Sequence, residues 1–173
     1  NIELSCFFYI TYLNIFGIFY NKKIFIFNYK HMNIIVERLE KIKSNINKVN
    51  DNKSINIIAV SKTFPLDHVM PLIKHGHIHF GENKVQEALT KWSTIKNEEP
   101  QIKLHMVGKL QSNKAKKAVE IFDYIHSLDN QKLADILSKE EQNLGKKLKY
   151  FIQVNIGNEL QKSGVQAQEL DSF

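Results

Sequence analysis

From residue 35 onward the chain alternates short β-branched runs with stretches whose apolar residues recur every three or four positions, and no other feature constrains its fold as tightly. Ile35, Leu39, Ile42, Ile46 and Val49 share one helical face, with Glu37, Arg38, Lys41, Lys43 and Lys48 off it, so this helix is expected to pack on the body. The polar loop at 50–54 ends it. Ile55–Val60 then reads as a first strand. Leu66, Val69, Met70 and Ile73 mark a helix, with Gly76 suited to its C-terminal cap. Ile78–Phe80 is a second strand, and Val85, Ala88, Leu89, Trp92 and Ile95 form the next helical stripe. Ile102–Val107, a short helix from about Asn113 to Ile121, and Tyr124–Leu128 continue the pattern. Asp129 is placed as the N-cap of a helix containing Leu133, Ile136 and Leu137, which Gly145 closes. Leu148–Ile156 is the fifth strand, and another helix is expected near Gln166. Regular strand–helix alternation means an α/β fold with a parallel sheet.

Composition narrows the function classes. The formal net charge is +6, yet Arg38 is the one arginine. Arginine is the usual tool for bidentate recognition of bases and phosphates, so a dedicated nucleic-acid reader is not expected. Cys6 is the single cysteine, which rules out an intrachain disulfide or a cysteine metal cluster and fits a reducing compartment. Residues 1–31 differ in kind: they hold ten of the 18 aromatic residues, and Cys6 to Tyr20 is an uncharged, mostly apolar run. That run is shorter than the ~17–25 residues of a membrane-spanning helix and lacks the positive flank of a secretory signal. Met32 stands just before the first clean helical pattern. Residues 1–31 are therefore read as an extension outside the domain, with a membrane or targeting segment as the rival, and residues 32–173 as the domain.

The chemistry concentrates at Ile57-Ile58-Ala59-Val60-Ser61-Lys62-Thr63-Phe64-Pro65. An apolar strand ends in a lysine between two hydroxyl residues, and Pro65 opens a helix, so Lys62 sits on a tight strand-to-helix connection. In α/β barrels such connections carry the chemistry. A lysine held against apolar walls loses its proton readily and can attack a carbonyl to form a Schiff base, which is what pyridoxal phosphate requires of its protein. Taken alone, the segment reads first as a surface lysine after a strand.

It is not alone. His79-Phe80-Gly81-Glu82-Asn83-Lys84-Val85-Gln86-Glu87, Leu104-His105-Met106-Val107-Gly108-Lys109-Leu110-Gln111-Ser112-Asn113-Lys114, Phe122-Asp123-Tyr124-Ile125-His126-Ser127-Leu128-Asp129, Gln153-Val154-Asn155-Ile156 and Lys162-Ser163-Gly164-Val165 follow in order. In this combination the chain resembles the YggS/PROSC family of pyridoxal phosphate homeostasis proteins from about Met32 to its last residue. The resemblance implies a parallel β/α barrel of TIM-barrel type, like the N-terminal domain of alanine racemases but without their second domain. It implies pyridoxal 5′-phosphate as cofactor, Lys62 as its covalent carrier, and a role in vitamin B6 and amino-acid homeostasis through binding without robust catalysis. Asn83, after a strand and a glycine, is the better candidate for a further cofactor contact. His105 lies within the third strand, facing either the barrel interior or the helices.

A closed barrel needs eight strands. About five are found, so the chain reads as a C-terminally truncated member with an open strand edge. The family's late loops, which hold the cofactor's phosphate, find no match, so weak binding that discriminates poorly between pyridoxal phosphate and pyridoxal is expected. Intact members are expected to be cytoplasmic monomers. An open edge and exposed apolar faces invite pairing or aggregation. No nucleic-acid partner is expected, and no membrane contact beyond residues 1–31.

Other constellations are weaker. His77 and His79 would share a face of one strand, but no third ligand appears at a suitable spacing, so no metal site is assigned. Lys109, Lys114, Lys116 and Lys117 form a basic cluster that reads first as a solvated helix face. Asp67 and His68 have no nucleophile at clear spacing and are read as surface residues, and no catalytic residue is assigned. The remaining alternatives are an inactive remnant, a fold-related racemase or decarboxylase, and a basic interaction protein.

Overall fold

The structure, a computed structural model, describes residues 2–3, 15–20, 23–28, 33–49, 55–157 and 163–173. Ile2–Glu3 forms a first strand, β1; β2 (Ile15–Tyr20) and β3 (Lys23–Asn28) make an antiparallel hairpin registered from Ile15↔Asn28 to Tyr20↔Lys23. The stretch Cys6–Asn14 of the apolar run lies outside the described residues. Helix α1 spans Ile34–Val49. Asn33 Oδ1 accepts the Ile35 N–H at 2.9 Å, capping its first turn. Its expected apolar face is the covered one: Ile35 and Leu39 are buried, and Ile42 and Ile46 are half-buried. The hairpin and α1 form one compact unit, residues 5–54; residues 1–4 and 55–173 form the other. Among the described residues no helix is long and apolar enough to cross a membrane.

The second unit is built on one parallel sheet. After β4 (Ala59–Val60) come α2 (Leu66–Lys74), β5 (His79–Glu82), α3 (Val85–Glu98) and β6 (Lys103–Met106). A 3₁₀ turn at Ser112–Lys114 leads into α4 (Ala115–Ile121), followed by β7 (Tyr124–Leu128), α5 (Gln131–Leu144) and β8 (Lys149–Ile152). The sheet order is β1-β4-β5-β6-β7-β8, so from β4 each strand lies beside its predecessor. An order that never reverses is the wall of a singly wound barrel, not a doubly wound open sheet. Right-handed crossovers put every connecting helix on one side of such a wall.

Alternation along the strands fixes what each face carries. Phe80 is fully buried with its ring centroid 4.9 Å from that of Trp92 on α3, so Phe80 and Glu82 face the helices. Leu104, Met106 and Ile125 are buried with them, as are Leu133 and Leu137 of α5. His79 and Gly81 therefore lie on the opposite, inner face.

Several expected boundaries move. The first strand keeps only two residues, because its ladder to β5 contains just Ala59↔Phe80 and Val60↔Gly81. The expected fifth strand breaks at Gln153 into β8 and a separate β9 (Val154–Asn155), which pairs in parallel with β10 (Val165–Gln166) in a two-stranded sheet. The helix expected near Gln166 is a 3₁₀ helix, Ala167–Ser172. The cap of α5 is Asn130 rather than Asp129: Asn130 Oδ1 accepts the Leu133 N–H at 2.9 Å. Gly76 does close α2. With φ +85°, it donates to Ile73 O at 2.9 Å while His77 donates to Leu72 O at 3.0 Å, the paired bonds of a helix terminus that needs a left-handed residue. Gly145 ends α5 at φ +61°.

Candidate functional site

The lysine-bearing connection is a β-turn. Phe64 N–H donates to Ser61 O at 3.2 Å, which makes Lys62 and Thr63 the two central residues. Thr63 has φ +67°, and no other non-glycine residue described has positive φ. That position of a type II turn normally takes Gly or Asn, and a β-branched residue there is strained by about 1 kcal/mol or more. Strained backbone beside a reactive side chain is a common mark of a functional site. Pro65 falls at the N-cap of α2, one residue before the first helical position. Ser61 N–H donates to Gly81 O at 2.8 Å, extending the ladder one residue past β4. Ser61 turns its hydroxyl to the helix side, so Val60 falls on the inner side, and Lys62, on the turn that follows, is half-buried.

Ser61 is anchored from below. Glu82, wholly buried, takes three donors on Oε1: Ser61 Oγ at 2.7 Å, Lys91 Nζ at 2.7 Å and Trp92 Nε1 at 2.9 Å. Lys91 Nζ also donates to Ser61 O at 2.7 Å. Sequence reasoning missed this network. Its signal was an acidic residue at the end of a strand that is otherwise apolar on its helix-facing side, where a buried carboxylate must find partners.

Asn83 directly follows the end of β5. Since Val60 pairs with Gly81, Lys62 and Asn83 stand across adjacent strand ends at the C-terminal mouth of the sheet. The next strand end presses on Asn83: a Cβ on Gly108 would collide with Asn83 O and lie 2.8 Å from its Cα, so only glycine fits. Two clefts open beside the loops that follow these strands, and Lys62 lines neither. One of about 380 Å³ is lined by Asn83, Lys84, Met106, Lys109, Gln111 and Lys114. Another, about 620 Å³, runs along Thr63, Phe64, Gln86, Thr90 and Lys91.

Deeper on the inner face, three strands contribute a histidine each. His79 Nδ1 and His105 Nε2 are 2.9 Å apart, as are His105 Nδ1 and His126 Nε2. Each contact shares one proton, so the chain is satisfied when all three rings are neutral. Burial holds them there: it pushes His105 down to about 3, with His126 and His79 adding to the effect, and it lowers His126. His79 is lowered by burial first and by Lys103 second, against an opposing pull from Asp123. Tyr124 stacks on His105 at 4.2 Å and Phe151 on His126 at 4.4 Å. His105 thus faces the interior, settling the orientation the sequence left open.

The lesser constellations stay apart. His77 Nε2 donates to His79 O at 2.9 Å and meets Phe80 edge-on, while the His79 ring pairs with His105. They do not converge on a metal, and among the described residues no group of three or more candidate ligands does. Asp67 Oδ1 accepts the neighbouring His68 N–H at 3.0 Å on an exposed helix start. Lys109 and Lys114 line the Asn83 cleft, whereas Lys116 and Lys117 are exposed on α4.

Comparison with known proteins places this geometry. The family described as alanine racemase, N-terminal domain, matches residues 38–173. A pyridoxal phosphate homeostasis protein of Pasteurella multocida is 35% identical over 141 residues, 79% of this chain and 60% of that protein. Its counterpart in Escherichia coli K12 is 34% identical over 148 residues, covering 82% and 63%. PipY of Synechococcus elongatus PCC7942, solved without and with PLP, is 39% identical, with TM-scores of 0.71 and 0.69 over 79% of this chain and 60% of PipY. An alanine racemase of Clostridium difficile 630, 14% identical with a TM-score of 0.57 over 79% of this chain and 36% of its own, shares the fold. The chain spans about three fifths of the length of the curated relatives it matches. By the extent of these matches it belongs to the alanine racemase N-terminal domain family, and its similarity within that family is to the pyridoxal phosphate homeostasis proteins.

Proposed function

We propose that residues 32–173 are the lysine-bearing part of a pyridoxal phosphate-binding barrel, with residues 1–31 an extension whose Ile2–Glu3 pairs with the edge strand β4. Lys62 would hold the cofactor through a reversible covalent bond from Nζ to its aldehyde carbon, the aldehyde oxygen leaving as water, and Asn83 would contact it from the adjacent strand end. The observation that carries this reading is the half-buried Lys62 on a strained turn at the C-terminal mouth of a parallel wall, opposite Asn83. The residues fit the group. An amine and an amide follow two adjacent strands, and the apolar Ile58 and Val60 lie beside Gly81 just before them. When bound, pyridoxal phosphate supplies an aldehyde that captures amines and an electron-withdrawing ring. The chain's own residues do the rest: Ser61 fixes the start of the turn, and the neutral histidines leave the lumen without added charge.

Binding without turnover, in the service of vitamin B6 and amino-acid homeostasis in the cytoplasm, is the proposed role. The name of the relatives and the PLP-bound neighbour support it. The test is a spectral titration of the 173-residue chain with pyridoxal phosphate and with pyridoxal. A saturable new absorbance band that Lys62→Ala abolishes is expected. A spectrum unchanged by that substitution, or measurable racemisation of alanine by the chain, would overturn the reading.

A further inference from the structure

We propose that Lys91, on α3, is a positioning residue for Lys62. Its ammonium ties the Ser61 carbonyl to the buried Glu82 carboxylate and so holds the turn that presents the Lys62 amine. The inference rests on the reading of Lys62 as the cofactor lysine for its purpose, but not for its geometry.

The geometry is convergent. Lys91 Nζ reaches Ser61 O and Glu82 Oε1, both at 2.7 Å, with its side chain only 11% exposed. A lysine whose role was solubility would keep its head in water. Here the head is turned inward to the first residue of the turn. Ser61 O is also the acceptor that closes the turn from Phe64 N–H, so one carbonyl receives both the bond that defines the turn and the bond from Lys91. Ser61 Oγ then lands on the same Glu82 oxygen, and Trp92, fixed in the core against Phe80, holds that oxygen from the other side. Every polar atom of Ser61 is thereby engaged: N–H to Gly81, O to Lys91 and Phe64, Oγ to Glu82.

That degree of constraint has a purpose at Thr63. A β-branched residue at φ +67° relaxes to negative φ unless its surroundings hold it, and the relaxation would swing the preceding side chain. Lys91 supplies a charge-assisted bond at the carbonyl that such a swing would have to move. Because α3 begins two residues after Asn83, the strand–helix unit bearing Asn83 also fixes the Lys62 turn. The two ends of the proposed site are set by one element.

The test measures Lys62 without any cofactor. Competitive labelling with trace acetic anhydride across pH, read by peptide mass spectrometry, gives the reactivity profile of Lys62 against that of exposed Lys132. Lys91→Met should change Lys62 reactivity at least threefold at some pH and leave Lys132 unmoved, and Lys91→Arg should restore the profile. Lys91→Met leaves Glu82 without its cation, so the double variant Glu82→Gln/Lys91→Met serves where the single one unfolds, and all are compared well below their melting temperatures. A role confined to stability would lower melting temperature and leave the Lys62 profile of the folded protein unchanged, which overturns the proposal. In a parallel arm, pyridoxal phosphate followed by borohydride should label Lys62 in the wild type about tenfold more than in Lys91→Met, the scale of one lost charge-assisted hydrogen bond. A changed acetylation profile with no cofactor label on Lys62 in the wild type would defeat the cofactor reading and leave the positioning role standing.

Discussion

Acid should loosen this fold through the histidine chain. His105 is 3% exposed and is held neutral down to about 3, against an ordinary value of 6.5 in the unfolded chain. Its folded value is the lower one, so between the two the unfolded state binds more protons and stability rises with pH. The contribution is complete above about pH 6.5 and is lost as pH falls toward 3. At pH 5 the gap of about 1.5 units below the unfolded value corresponds to about 2 kcal/mol at 1.36 kcal/mol per unit. His79 and His126 are only half-buried, so water reaches the chain of rings and screening reduces this to about 1–2 kcal/mol. His79 and His126, also lowered by burial, contribute in the same direction. With a urea slope of about 2 kcal/mol/M, the unfolding midpoint should fall by roughly 0.5–1 M between pH 7.5 and pH 5.0. His105→Phe keeps a ring stacked on Tyr124 but cannot take a proton, so its midpoint should vary less with pH. Equal midpoints at the two pH values in the wild type, or an undiminished pH dependence in His105→Phe, would refute the reasoning.

Three further outcomes can be checked directly. Thr63→Asn, which tolerates positive φ, should stabilise the chain by about 0.5–1 kcal/mol in urea denaturation, since it relieves the strained turn position. Asn130→Ala should cost about 1 kcal/mol through the lost cap of α5, while Asp129→Ala should change stability by less than half of that. Deleting residues 1–31 should leave the helical circular-dichroism signal of the rest intact and raise solubility; loss of that signal would show that the pairing of Ile2–Glu3 with Ala59–Val60 supports the sheet.

The succession of elements was legible because amphipathic stripes and terminal glycines are local signals. The faces of α2, α3 and α5, the strand Tyr124–Leu128, and Gly76 and Gly145 as helix ends all appear where their residues place them. What escaped depends on partners. Ile55–Ile58 is as β-branched as a strand, yet only Ala59 and Val60 have a neighbour in β5. Gln153 interrupts an apolar run because its N–H donates to Leu128 O and its carbonyl accepts from Val165, turning the chain from one sheet to another. Asp129 and Asn130 are equally good caps by type, and only the start of α5 decides between them. At the site, strand spacing placed Lys62 and Asn83 on neighbouring ends, but nothing local revealed that Glu82 would gather Ser61, Lys91 and Trp92 around one oxygen, or that His79, His105 and His126 would align across three strands.

The central claim is that Lys62 carries the cofactor. It is tested most directly by incubating the 173-residue chain with pyridoxal phosphate, reducing with borohydride, digesting, and locating the added mass on peptides. The account predicts one dominant modified peptide containing Lys62, lost in Lys62→Ala with no other lysine taking its place. Label spread evenly over the 23 lysines, or a pattern unchanged by Lys62→Ala, would contradict it.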